Sequence, residues 1–131
     1  MESQEVVNLV KQFLRTMEAR DLDRAEKMMA PGAKITFPGG KEFSSQREMV
    51  MGSRGRYQWV KKSFDQIDAQ KVGDSVVVYV MGTLHGVNKN GVSFSNVRYI
   101  DRFVVKNGLI DQQDVWNDLA ESGVLDLKEQ L

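Results

Sequence analysis

The second half of the chain is built from β-rich runs, SVVVYVMGTLHGV, VSFSNVRYIDRFVV and LIDQQDVW, separated only by NKNG and KNG. Asn-Gly is the favoured centre of a two-residue type I′ turn, whose twist matches that of the strands it joins. Each run must therefore pair antiparallel with the next, and KSFDQIDAQK, closed by VGD, adds a further strand. A sheet with one apolar face requires a second layer to cover it.

The N-terminal half supplies that layer. Val6, Leu9, Val10, Phe13, Leu14 and Met17 recur at helical spacing, with Ser3 as the expected N-cap. Asp21 or Asp23 starts a second helix carrying Leu22, Ala25, Met28 and Met29, which Pro31-Gly32 should end. AKITF then alternates as a short strand up to Pro38-Gly39-Gly40. SQRE, from Ser45 to Glu48, is a capping-box pattern, and Met49, Val50, Tyr57 and Val60 extend it as a third helix. GVLDLKEQL reads as a short last helix or a frayed tail. The expected fold is α+β, residues 1–131 forming one domain with helices on one face of a curved antiparallel sheet.

Turn chemistry sets the register of the last hairpin. With Asn107-Gly108 as the turn, Lys106 faces Leu109, Val105 faces Ile110, Phe103 faces Gln112, Tyr99 faces Trp116, and Asp101 faces Asp114. Val97, Tyr99, Asp101, Phe103 and Val105 form the apolar side of their strand and should face the core, together with Val78, Val80, Gly82 and Leu84. Gly82, lacking a side chain, is expected to leave room for a cavity beside Tyr99 and Asp101. Directly opposed residues have Cβ atoms about 4.5 to 5.5 Å apart, too close for two buried carboxylates to ionise independently. Asp101 and Asp114 are therefore expected to act as a general acid and base, or as donor and acceptor around a developing enolate. The alternative is that one acid reaches solvent or pairs with an arginine and performs no chemistry.

Composition narrows the field. At 131 residues the chain suits a single core, and 18 basic against 18 acidic residues leave no excess charge for nucleic acid or an anionic membrane. Cysteine is absent and His85 is the only histidine, so disulfides, thiolate chemistry and multi-histidine metal sites are excluded. No apolar run is long enough to span a bilayer and no signal peptide is visible, so a cytoplasmic location is expected. No metal or cofactor is expected.

The order of helices and strands, with AKITFPGG, YIDRFVVKNGLI and DVWNDLAE, resembles the nuclear transport factor 2-like superfamily, and within it the SnoaL-like polyketide cyclase branch. That resemblance implies a cone-shaped sheet, cystatin-like, with the N-terminal helices packed on its concave face around a mostly apolar pocket. It also implies a homodimer through the outer face of the sheet. Asp114 matches the acid-base Asp of the cyclases, while Gln112 and Gln113 stand where they carry His and Trp. Asp101 corresponds to the oxyanion-binding Asp of ketosteroid isomerases, whose catalytic Tyr and base fall at Phe13 and near Phe37. Limonene epoxide hydrolases also use an acid comparable to Asp114, but their Arg-x-Asp falls at about Val80 and Gly82.

The expected function is a small-molecule-binding domain that transfers protons on a hydrophobic carbonyl compound, as an aldol cyclase, isomerase or dehydratase. The alternative is a non-catalytic protein binding a hydrophobic metabolite or a protein partner. Tyr99, Trp116, Tyr57, Gln112, Phe13, Met17 and Phe37 are the expected substrate contacts. Arg54 and Arg56, in GSRGRYQW, lack a phosphate-loop spacing and read as a solvated helix face. His85 falls opposite the acids, where Tyr79, Met81, Ile100, Arg98 and Arg102 could form a dimer patch.

Overall fold

A computed structural model describes residues 2–53 and 55–129. Helix α1, Ser3–Glu18, buries Val6, Val10, Phe13, Leu14 and Met17, the stripe expected from its periodicity. Its N-cap is Glu2 instead of Ser3, with the Glu2 N–H donating to Glu5 at 3.4 Å. The helix ends in a Schellman arrangement: Arg20 adopts a left-handed φ of 59°, Arg20 N–H donates to Met17 O at 3.0 Å, and Asp21 N–H to Thr16 O at 3.1 Å. Asp21 then caps α2, Leu22–Lys27, which is shorter than expected.

Strand β1, Met29–Phe37, absorbs Met29 and the Pro31-Gly32 pair expected to end the helix. Its pairing slips between Met29 and Lys34, the kind of irregularity that tolerates a proline inside a strand. After a 3-10 turn at Pro38–Gly40 and the short β2, Lys41–Phe43, Ser45 caps α3, Gln46–Gly52, by accepting from Glu48 N at 3.0 Å. Tyr57 and Val60 are not on this helix. Gly55, at φ 84°, turns the chain, and both residues lie on β3, Tyr57–Lys62. Arg54 lies outside the described residues.

The remaining strands are β4, Gln66–Val72; β5, Ser75–Asn88; β6, Ser93–Lys106; and β7, Leu109–Asn117. The seven strands form one curled sheet in the order β2-β1-β7-β6-β5-β3, with β4 also on β5. The sheet is mixed, because β1 runs parallel to β7. The inner faces of β5 and β6 carry Val78, Val80, Leu84, Val97, Tyr99, Phe103 and Val105, all buried as expected. α1 covers them, and the Phe13 ring meets Phe103 edge-on at 5.8 Å between centroids.

Helix α4, Leu119–Ser122, and a 3-10 turn at Val124–Asp126 close the chain over the sheet. Buried Asn88 fastens them by donating to Val124 O at 2.8 Å and Leu127 O at 2.9 Å. Among the described residues, no helix is long and apolar enough to cross a membrane.

Candidate functional site

The type I′ turn forms as expected, with Asn107 at φ 52° and Gly108 at φ 75°, and Val105 pairs with Ile110. One residue later the register slips. Val104 pairs with Gln112, leaving Asp111 as an unpaired bulge, and every residue beyond it changes face. Arg102 therefore opposes Asp114, and Asp101 opposes Val115. The expected Asp101–Asp114 pair does not exist. Asp114 lies on the outer face, accepting from Arg102 at 3.1 Å and from Gln112 at 2.9 Å. Trp116 follows it outward and is 53 % exposed.

Asp101 stays inside, 0 % exposed, and its partner comes from β3: the Lys62 ammonium contacts its Oδ2. Among the described residues, Oδ1 has no hydrogen-bond partner. Burial pushes the Asp101 carboxyl above its ordinary range, and the charge of Lys62 pulls it back only in part. Tyr99 lies beside the pair, its ring 4.8 Å from Lys62 Nζ and its hydroxyl donating to Ser63 O at 2.6 Å. Burial, reinforced by Asp101, raises its phenol well above the usual range, so it remains a donor.

The room expected beside Gly82 is filled. A Cβ there would collide with Ser63 O, so the glycine serves to let the chain between β3 and β4 pass over β5. The cavity lies instead on the other side of Lys62, between the end of α1, α3, and the inner faces of β3, β5 and β7. It measures about 90 Å³. Its walls are largely apolar, with Leu14, Met17, Phe37, Met49 and Val115 prominent, and Lys62 and Glu18 both face it. Glu18 is held by Arg15 at 2.8 Å and by Lys62 N–H at 2.7 Å. On the far wall Gln46, wholly buried, donates to Gln113 at 2.9 Å, and its Oε1 has no partner among the described residues. Orphaned buried acceptors are rare in folded proteins, which places an unmet donor requirement on whatever the cavity holds. Among the described residues, no group of three or more His, Asp or Glu is arranged to hold a metal ion.

A model of the SnoaL-like domain matches residues 10–113. The chain belongs to the SnoaL-like family. Solved structures agree on the fold. An NTF2-like protein of unknown function from Burkholderia pseudomallei superposes with a TM-score of 0.73 at 19% identity, covering 97% of this chain and 100% of its own. A protein from Jannaschia sp. CCS1 classed as a SnoaL-like polyketide cyclase gives 0.68 at 16%, covering 97% and 95%. TerC, co-crystallised with polyporic acid, gives 0.73 at 14%, covering 92% and 98%. Identities this low establish the fold and leave the chemistry to the residues. No curated protein matches the sequence.

Within this SnoaL-like cone, Met17, Phe37 and Tyr57 line the cavity as expected. Phe13 does not, being locked in the core against Phe103, and Tyr99 stands behind Lys62 without lining it. Gln112 and Trp116 are turned outward by the bulge, and Gln113 and Val115 take their places. Lys62, Glu18 and Gln46 escaped the sequence reading. One clue was available: in LIDQQDVW the apolar residues switch parity between Ile110 and Val115, which an unbroken strand buried on one face does not do. Arg56, expected on a solvated helix face, is exposed but sits in the turn before β3, at the cavity opening. His85 lies outside, its ring 6.0 Å from that of Trp59.

Proposed function

We propose that the cavity binds a small hydrophobic carbonyl compound and moves a proton at the carbon beside its carbonyl, as an aldol cyclase, isomerase or dehydratase does. One observation carries this reading. An ammonium, Lys62, and a carboxylate, Glu18, face the same mostly apolar cavity, and a fully buried carboxylate, Asp101, braces the ammonium from behind.

In this reading Lys62 donates to the carbonyl oxygen and stabilises the enolate as its charge develops, which a low-dielectric wall makes more effective than water would. Glu18 accepts the α-proton and returns it to the product. Asp101 is a positioning residue: it fixes the ammonium and never meets the substrate. The fold family supports the cavity as a ligand site, and TerC, a protein of similar fold, was co-crystallised with polyporic acid. Asp114, on the outer face, has no part in the proposal.

The test is deuterium exchange at the α-carbons of 2-tetralone in D2O, followed by NMR with buffer catalysis subtracted. Wild-type protein should accelerate exchange, and Lys62→Met and Glu18→Gln should each lose on the order of 10²-fold or more of that acceleration. Asp114→Asn should leave it unchanged; exchange lost in Asp114→Asn and retained in Lys62→Met would sink the assignment. A second reading, carriage of a hydrophobic metabolite, draws on the engagement of Glu18 by Arg15 and of Lys62 by Asp101. Binding of 2-tetralone without any exchange would select it.

A further inference from the structure

Among the described residues, four charged side chains line the cavity: Glu18, Arg20, Arg56 and Lys62. Two of them are compensated, Glu18 by Arg15 and Lys62 by Asp101. Arg20 and Arg56 have no carboxylate within salt-bridge distance among the described residues. Both are exposed, so they stand where the cavity opens to solvent. In a chain with equal numbers of acids and bases, that opening carries two uncompensated positive charges.

Arg20 is held there at a cost. It occupies the left-handed position that ends α1, at φ 59°, where glycine is the usual residue and a side chain bears strain. Its guanidinium donates to Met17 O at 2.8 Å. That single bond fixes its direction and uses one of five N–H donors. Arg56 follows Gly55, itself at φ 84°, and shares with Ser53, Phe37 and Met49 the boundary between this cavity and a neighbouring recess of about 320 Å³. Lys41 lines that recess as well.

We propose that Arg20 and Arg56 form an anion-binding rim, and that the ligand is a hydrophobic carboxylate whose acid group stays at the opening while its apolar body reaches Lys62. The inference rests on the cavity being the ligand site. It narrows the substrate class to cyclic or aromatic oxo acids. The planar forks of two arginines suit a carboxylate, accepting two parallel hydrogen bonds from one guanidinium and leaving the second to balance charge.

The experiment compares 2-naphthoate with naphthalene-2-carboxamide, a neutral ligand of the same shape, by calorimetry at low ionic strength. Wild-type protein should bind the carboxylate at least ~10-fold more tightly, and raised salt should shrink the difference. Arg20→Gly should fold with a thermal midpoint at or above that of the wild type, because glycine relieves the strained backbone, and should lose most of the preference. Arg56→Gln should weaken it too. Equal affinity for the two ligands in the wild-type protein, or a preference that survives in the Arg20→Gly/Arg56→Gln double variant, overturns the rim and leaves the proposed cavity chemistry standing. Binding of neither ligand overturns both.

Discussion

The pairing of Lys62 with Asp101 governs both the chemistry and the stability of the site. A fully buried carboxylate that loses its partner becomes an uncompensated charge, so Lys62→Met should cost about 3–5 kcal/mol at neutral pH. Replacing Asp101 by Leu in the same chain should recover most of that loss, as measured by urea denaturation. The sign of the pH dependence follows from the raised pKa. Above the ordinary value of 3.8, folded Asp101 still holds a proton that the unfolded chain has released. Its contribution to stability is therefore fully present below 3.8 and is lost as pH rises through the folded-state value. The unfolding free energy of wild type relative to Asp101→Asn should fall as pH is raised from about 4; a flat difference would contradict a buried, proton-retaining Asp101. The Lys62→Met penalty should likewise shrink toward acid, where Asp101 can become neutral.

At the scale of elements, the bulge at Asp111 decides which side chains of β7 enter the cone. With Asp111 paired instead, Asp114 and Trp116 would point inward and Gln113 and Val115 outward, the arrangement expected from turn chemistry alone. Deleting Asp111 should remove the bulge and leave the observed partners, Val104 with Gln112 and Arg102 with Asp114, in one uninterrupted ladder, so that Asp114 stays outside and Val115 inside. The variant should keep a cooperative thermal transition, followed by circular dichroism, with a midpoint within ~10 °C of wild type. Loss of the cooperative transition would mean that the sorting of β7 depends on more than this one unpaired residue. The same element shows what the residues could reveal: Asn-Gly dictated the turn and its first pairs, which are local. The bulge answers to β1, whose own register slips alongside β7 between Met29 and Lys34, and a partner distant in sequence leaves no mark on the turn.

At the scale of the molecule, the outer face of the sheet exposes Tyr79, Ile100 and Trp116. Isolated exposed apolar residues are ordinary, but three on one sheet face form a surface that a second copy could cover. We propose a homodimer through this face: light scattering at micromolar concentration should give twice the chain mass, and Ile100→Asp should halve it. A monomeric wild type would remove the proposal without touching the cavity. The sequence by itself determined the long β5–β6–β7 meander, the inward face of β6 with Asp101 on it, and the amphipathic α1 that covers the sheet. Each follows from short-range periodicity and turn chemistry, which are written locally in the chain. Tertiary structure alone decided that Asp101 meets Lys62 and not Asp114, and that Glu18, Gln46 and Arg20 converge on one cavity. Those neighbours come from elements far apart in sequence, and only the curl of the sheet and one unpaired residue bring them together.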